Sequence, residues 1–295
     1  LLFTSPPQPT SPPHHLSSQE TEFFRRFDEK MCVFSQISAF YAVSFKKLGF
    51  SGHSIEKIKQ KKEFSELPDS IIEKVAKIRK GDVKESRALL RKYFGVFLTN
   101  KVLKGKCSFE EMLKMHISSR KRDYEKFYEE IFLGMENVGS VVDLGCGVNG
   151  FSYRYLKDVV GDIDYLGIEA SGQLVRHMNN YFKTENFSAK SIIGDLFDIK
   201  KILEILKKQK KNRIVFLFQV VDALENLERD FSKAFIMSIS KECEKIVLSL
   251  PTESLGGRKK FAVQRKWIID FLEENFVIEK DFVANGERAI CFYKK

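Results

Sequence analysis

Cysteine is scarce and scattered in this chain. Cys32, Cys107, Cys146, Cys243 and Cys291 are the five in 295 residues, an odd number with no Cys-x-x-Cys pair and no histidine at metal-ligand spacing. A disulfide framework and a structural metal site are both disfavoured, which fits a reducing cytoplasm. Proline is nearly missing from the body of the sequence: Pro6, Pro7, Pro9, Pro12 and Pro13 are five of the seven, all in a short stretch rich in Ser, Thr and Gln. That composition buries too little apolar surface to offset the entropy of ordering, so residues 1–19 are expected to form a disordered tail. The stretch begins without Met and lacks a basic segment and a long apolar core, so no signal peptide is expected. No later apolar run approaches the length of a membrane span, and a soluble protein without a membrane partner is expected.

Charge of one sign is also missing where it would be needed for balance. Residues 46–126 hold 22 Lys+Arg against 11 Asp+Glu, whereas the other 214 residues hold 28 against 29. A surplus that served only solubility would be spread along the chain. The asymmetry points to a basic module that docks on a polyanion, with solvated faces of amphipathic helices as the plainer alternative. At 43% hydrophobic content the chain can bury one full α/β domain and a smaller partner.

Residues 20–126 read as helices. Residues 22–48 are apolar and aromatic-rich, residues 70–79 alternate apolar and basic side chains at helical spacing, and residues 86–98 continue in the same way. The aromatic groups there (Phe23, Phe24, Phe27; Tyr93, Phe94, Phe97) read as core. From residue 138 the pattern changes to strands near 140–145, 164–168, 189–193, 213–219 and 244–250 with helices between them, which predicts a mainly parallel sheet. The strands flanking Asn285-Gly286 carry a hairpin signal, so the last strand should run antiparallel.

The run Val141-Val142-Asp143-Leu144-Gly145-Cys146-Gly147 is an apolar strand that ends in Asp-x-Gly-x-Gly. Gly145 and Gly147 suit a tight strand-to-helix turn with positive φ, over which backbone can come within contact distance of a ligand. Cys146 reads as a small residue that fits between them. A second strand ends at Glu169, about twenty residues beyond the turn, where nucleotide-binding Rossmann units place an acid on the ribose hydroxyls. A third ends in Gly194-Asp195-Leu196, which offers a carboxylate to an adenine amino group and an apolar side chain to its ring. Singly, each acid would serve as a helix cap; jointly, they predict a site for S-adenosylmethionine in the crevice at the carboxyl ends of the strands.

Two boxes are absent. Exocyclic amine methylation usually calls for an Asn/Asp-Pro-Pro-aromatic box after the fourth strand, where this chain has Gln219-Val220-Val221-Asp222. Methylation of cytosine C5 needs a Cys nucleophile, typically after proline, and Pro251 is followed by Thr252. What remains is an acceptor with a lone pair and no proton to lose, such as guanine N7, for which no catalytic base is expected.

His116-Ile117-Ser118-Ser119-Arg120-Lys121-Arg122 and the loop Ser249-Leu250-Pro251-Thr252-Glu253-Ser254-Leu255-Gly256-Gly257-Arg258 resemble two segments of the 16S rRNA guanine-N7 methyltransferases of the aminoglycoside-resistance (Arm/Rmt, FmrO-like) type. The resemblance covers about residues 70–295. It implies that Arg122, with Arg120, pairs with the cofactor carboxylate, and that His116 and Ser118 line the same pocket. It also implies that Gly145 meets the methionine end, Glu169 holds the ribose, Asp195 and Leu196 hold the adenine, and Phe218 covers one face of that ring. For His116, a buried histidine satisfied by backbone is the alternative. Gly150 replaces the family's Pro, Glu169 replaces an Asp, and the family's Gly-Met-Glu-x-x-Tyr is absent after Arg258, which leaves Trp267 or Phe261 as substitutes for a base-stacking tyrosine.

The expected organisation is a tail (1–19), a basic helical rRNA-docking domain (20–126) and a class I S-adenosylmethionine-dependent methyltransferase domain of the α/β, Rossmann-like class (127–295). Lys77, Arg79, Lys80 and Lys84, with Arg258, Lys259 and Lys260, are expected to contact RNA. The expected partner is the small ribosomal subunit, the expected state a cytoplasmic monomer. The alternatives are an enzyme of the same lineage acting on another RNA or purine position, and a non-catalytic ribosome-assembly factor.

Overall fold

The strand pattern from residue 138 onward closes into one seven-stranded sheet. In the computed structural model its strands are β1 Ser140–Leu144, β2 Asp164–Glu169, β3 Ala189–Ile193, β4 Arg213–Phe218, β5 Lys245–Pro251, β6 Phe276–Ala284 and β7 Glu287–Lys294. Their spatial order is β3-β2-β1-β4-β5-β7-β6. The pairs among β1 to β5 are parallel, and β7 runs antiparallel to both β5 and β6. The order reverses between β1 and β4, which opens a crevice beyond their carboxyl ends. Asn285 (φ 51°) and Gly286 (φ 83°) are both left-handed, as a two-residue hairpin with the native strand twist requires, and Ala284 pairs with Glu287 across the turn.

The structure describes residues 52–95, 99–103, 107–115, 120–252 and 265–295. The tail expected over 1–19 and the helix expected over 22–48 lie outside them, as do His116, Ser118, Arg258, Lys259 and Lys260.

Helices precede and separate the strands. Before β1 come α1 Gly52–Lys59, α2 Asp69–Ile78, α3 Val83–Leu90, α4 Asn100–Leu103, α5 Phe109–Met115 and α6 Tyr124–Phe132. The expected helix over 86–98 is in fact α3 followed by one turn of π-helix at Arg91–Gly95. Within the sheet region α7 Tyr153–Val160 follows β1, α8 Gly172–Thr184 follows β2 and α9 Ile199–Lys207 follows β3. Next come α10 Val221–Leu227 and α11 Phe231–Ile239 after β4, and α12 Lys266–Asn275 after β5. Side-chain caps start several of them: Asp82, Asp123, Ser171 and Asp198 each accept a backbone N–H from three residues ahead.

Alternation along the strands sorts the core into two layers. Val141, Tyr165, Phe216 and Cys291 face an aromatic layer with Phe127, Tyr128, Tyr153 and Phe182. Val142, Ile168, Leu217 and Phe292 face the layer formed with α9, α11 and α12. A third cluster joins Ile58, Phe64, Leu67, Ile71, Val75 and Leu90 of the helical segment to Ala170, after β2, and Leu227, after β4. Helices α1 to α3 therefore pack on the segments that follow β2 and β4, and residues Gly52–Lys295 form one compact unit. No helix among the described residues is long and apolar enough to cross a membrane.

This shared core has a measurable consequence. Phe64 is fully buried in it, and Phe64→Ala is expected to destabilise by about 3 to 5 kcal/mol. Because the cluster is common to both parts, the loss should appear equally in hydrogen exchange of α2 and α3 and in the denaturation midpoint read from Trp267. That residue is the only tryptophan and packs in the α12 layer. Helices that melt early while the tryptophan transition stays in place would show that the segment is an independent module.

Candidate functional site

The turn after β1 is built as the sequence implied. Gly145 (φ 70°) and Gly147 (φ 53°) are both left-handed, and the N–H groups of Gly145 and Cys146 donate to the Ile168 carbonyl at 2.8 and 3.1 Å. A Cβ on Gly145 would stand 2.7 Å from Val220 Cγ2 and 3.4 Å from Leu196 Cδ1. Leu196 and the segment after β4 thus abut the glycine turn. Cys146 fits because Gly167 on the neighbouring strand has no side chain: a Cβ there would come within 2.9 Å of Cys146 Sγ. Burial pushes that thiol well above its ordinary pKa, so it is an inert filler. Gly150, where the resembled family has proline, is packed against Met178, whose Sδ would meet an added Cβ at 2.5 Å.

Glu169 ends β2 and is buried. One carboxylate oxygen accepts from Gly147 N–H at 2.9 Å and the other from Ser171 N–H at 2.9 Å. The residue ties the glycine turn to the start of α8, and each oxygen keeps acceptor capacity. Burial raises its pKa above the ordinary carboxylate value, against the pull of the backbone donors. Asp195, after β3, is half-buried: its Oδ1 accepts from Phe197 N–H at 2.9 Å and its Oδ2 from the Ser70 hydroxyl at 2.6 Å. Ser70 belongs to α2, so the helical segment touches this acid directly.

Arg122 lies next to α6, and its guanidinium is held on two sides. Nε and Nη2 grip both oxygens of Glu287 at 2.7 to 2.9 Å, and Nη1 donates to Asn149 Oδ1 at 2.9 Å. Both members of the pair are almost fully buried, with side-chain exposures of 4% and 2%. Burial opposes the charge on Arg122, but the Glu287 carboxylate outweighs it and leaves the pKa above its ordinary value. The Ser249 hydroxyl donates to Glu287 from β5. Asn149 passes the network on through its amide, which donates to Asp143 Oδ2 at 2.7 Å. That oxygen also accepts from the Tyr165 hydroxyl at 2.9 Å. Below them, the Tyr128 and Ser152 hydroxyls pair at 2.7 Å. Asp143 Oδ1 is buried without a hydrogen-bond partner among the described residues.

The expected residues therefore fall into separate groups. Asp143, Gly145, Gly147, Glu169 and Arg122 converge on the end of β1, and Asp195 and Leu196 lie beside them across the turn. Arg120 is exposed. Phe218 does not join Leu196. Strand alternation sends Phe216 and Phe218 to the α6 side, with Leu217 facing the other way, and Phe218 lies 5.1 Å from the Arg122 guanidinium carbon and 4.4 Å from the Phe216 ring. Lys77, Arg79, Lys80 and Lys84 are all exposed, around the α2–α3 turn where Lys80 has φ 50°.

Glu287, Asn149, Ser249, Tyr165 and Ser70 were not singled out for a role in the sequence. Glu287 did leave a signal: it shares the inward face of β7 with Ala289 and Cys291, where a charge without a partner is costly.

No family model matches the chain. Solved structures do resemble it. The 16S rRNA methylase RmtB superposes with a TM-score of 0.63 at 16% identity, over 82% of this chain and 98% of that one. The 16S rRNA methyltransferase RmtF in complex with S-adenosyl-L-homocysteine gives 0.63 at 16%, over 84% and 100%. An rRNA methylase from Escherichia coli gives 0.61 at 15%, over 82% and 99%. The fold is that of the class I S-adenosylmethionine-dependent methyltransferases. β7 runs antiparallel, as expected from the Asn285-Gly286 hairpin signal, and lies between β5 and β6.

The buried acid beneath the turn gives a pH dependence. Burial raises the Asp143 pKa from 3.8 to about 6, against the hydrogen bonds from Asn149 and Tyr165. The folded protein keeps this proton longer than the unfolded chain does. The group's contribution is therefore fully present below the unfolded value and is lost as pH rises through the folded one. Asp143→Asn cannot ionise, so its melting temperature should fall less than that of the wild type between pH of about 4 and about 6.5. Parallel melting curves over that range would mean that Asp143 does not titrate there.

Proposed function

We propose that the protein is an S-adenosylmethionine-dependent methyltransferase that modifies N7 of a guanine in small-subunit rRNA. The observation that carries this reading is the convergence of the glycine turn, Glu169 and Asp195 at the carboxyl edge of a methyltransferase-type sheet. The likeness to the 16S rRNA methylases RmtB and RmtF supports the substrate class, and the S-adenosyl-L-homocysteine in the RmtF structure supports the cofactor.

The residues present fit that cofactor. Glu169 has acceptor capacity left for ribose hydroxyls, and Asp195 has it for an adenine amine, beside the apolar Leu196. The orphaned Asp143 Oδ1 is a buried acceptor beneath the turn, a group that a neighbouring ammonium or a bridging water would satisfy. Arg122 would receive the methionine carboxylate, with Arg120, His116 and Ser118 as the further candidates from the resemblance. Once bound, S-adenosylmethionine supplies an electrophilic methyl group on a sulfonium centre.

Guanine N7 carries a lone pair and no proton, so this chain has to align the base rather than deprotonate it. Val220 and Asp222 stand where an amine-activating box would lie, and Asp222 is committed to a bidentate pair with Arg265. Docking falls to the cations of the helical segment, including Lys77, Arg79, Lys80 and Lys84, with Arg258, Lys259 and Lys260 near the target. Phosphate contacts of this kind supply affinity and register, without sequence reading. Action in the cytoplasm, as a monomer, on the intact small subunit completes the proposal.

Three measurements test it. Small ribosomal subunits incubated with the protein and labelled cofactor should acquire 7-methylguanine, recognised by strand cleavage after borohydride and aniline. A methylated exocyclic amine or ribose would place the enzyme elsewhere in its lineage, and cofactor binding without transfer would favour an assembly factor. Glu169→Gln should weaken cofactor binding at least about tenfold, because a charge-assisted acceptor is lost; unaltered calorimetric affinity would remove Glu169 from the site. Reversing Lys77, Arg79, Lys80 and Lys84 to Glu should abolish subunit binding while cofactor affinity stays intact, and wild-type binding should fall steeply with salt. A flat salt dependence would dismiss the docking surface.

A further inference from the structure

The Arg122–Glu287 pair raises a question of its own. The guanidinium proposed to receive a ligand carboxylate already holds a carboxylate of the protein. Glu287 is 2% exposed and contributes both oxygens. Guanidinium has five N–H donors. Glu287 takes Nε and Nη2, the latter bonded to both carboxylate oxygens, and Asn149 takes one hydrogen of Nη1, so Nη1 retains a hydrogen that no described residue accepts. That hydrogen is the donor left for a further carboxylate.

We propose that Glu287 is a positioning residue that sets how strongly the site favours the carboxylate of its ligand. The inference rests on the reading of Arg122 as the receiver of the methionine carboxylate. Glu287 does two opposed things. It fixes the guanidinium plane, together with Asn149 and the aromatic rings of Phe127 and Phe218 at 4.7 and 5.1 Å from the guanidinium carbon. It also neutralises the charge, so an incoming carboxylate meets a pair of zero net charge and gains less than it would from a bare arginine. Ser249, which donates to the same carboxylate from β5, holds Glu287 in place.

Removing the charge while keeping the shape should therefore strengthen carboxylate recognition. In Glu287→Gln the buried Arg122 is left without a counterion, and a ligand carboxylate would supply one. The test compares two ligands by calorimetry: S-adenosylhomocysteine and its decarboxylated analogue, identical except at the carboxylate. The wild type should prefer the former. In Glu287→Gln that preference, the ratio of the two dissociation constants, should grow roughly three- to tenfold, and S-adenosylhomocysteine should raise the melting temperature by more than it does in the wild type. Glu287→Asp, which keeps the charge but withdraws it by one methylene, should lie between the two. It carries the same test if the Gln variant does not fold.

An unchanged or smaller ratio in these variants, or equal losses for both ligands, overturns the role of Glu287 and leaves it a structural support. A wild type that binds both ligands equally well refutes the placement of the carboxylate at Arg122 instead.

Discussion

The buried ion pair between Arg122 and Glu287 is the constraint on which the candidate site depends. Few elements of the fold meet so closely at one place. Arg122 enters beside α6, Glu287 opens β7 directly after the Asn285-Gly286 turn, Ser249 comes from β5, and Asn149 and Asp143 come from the β1 turn and the strand before it. Taking two charges out of water costs several kcal/mol each, and the cost is met only when both are paired with good geometry. Separating Arg122 from Glu287 would leave a charge buried alone, at about 3 to 5 kcal/mol. The network therefore fixes the register of the hairpin against β5 and the position of the glycine turn together. The hairpin, peripheral in the topology, reaches the centre of the site in this way.

A second connection runs through the helices. Basic helices could have been tethered loosely to the catalytic fold, but α1 to α3 share an apolar cluster with Ala170 and Leu227. Ion pairs reinforce it: Arg176 on α8 pairs with Glu66, and Lys74 pairs with Glu228. Ser70 bonds to Asp195 within the same contact. The exposed cations on and around the α2–α3 turn thus follow directly from the helix whose first turn meets the proposed adenine acid. A surface meant to align a target base gains from such rigidity, because an alignment error of an ångström is costly in rate.

Most of the sheet was legible in the sequence. Strand positions came from alternation and from apolar runs, the hairpin from Asn285-Gly286, and the turn from Gly145 and Gly147, because each is a local property of a few residues. The acids at strand ends were legible for the same reason: their spacing from the turn is fixed by one βαβ unit. What stayed hidden is long-range. Arg122 and Glu287 are 165 positions apart, and nothing local distinguishes Arg122 from Arg120, which lies exposed. Phe218 shows how far a local reading reaches. Its position at the end of β4 was read correctly, but one residue of alternation decides which layer it enters, and it enters the α6 side. Ser70 was likewise unreadable, since only the docking of α2 brings it to Asp195.

The arrangement of a bound ligand around Arg122 tests this account most directly. In a crystal structure of the protein with S-adenosylhomocysteine, the ligand carboxylate is expected on Nη1 of Arg122 while Glu287 keeps its pair with Nε and Nη2, with the ribose hydroxyls on Glu169 and the adenine beside Asp195 and Leu196. A carboxylate bound away from Arg122, or a Glu287 displaced from it by the ligand, would contradict the claim that a resident ion pair builds this site.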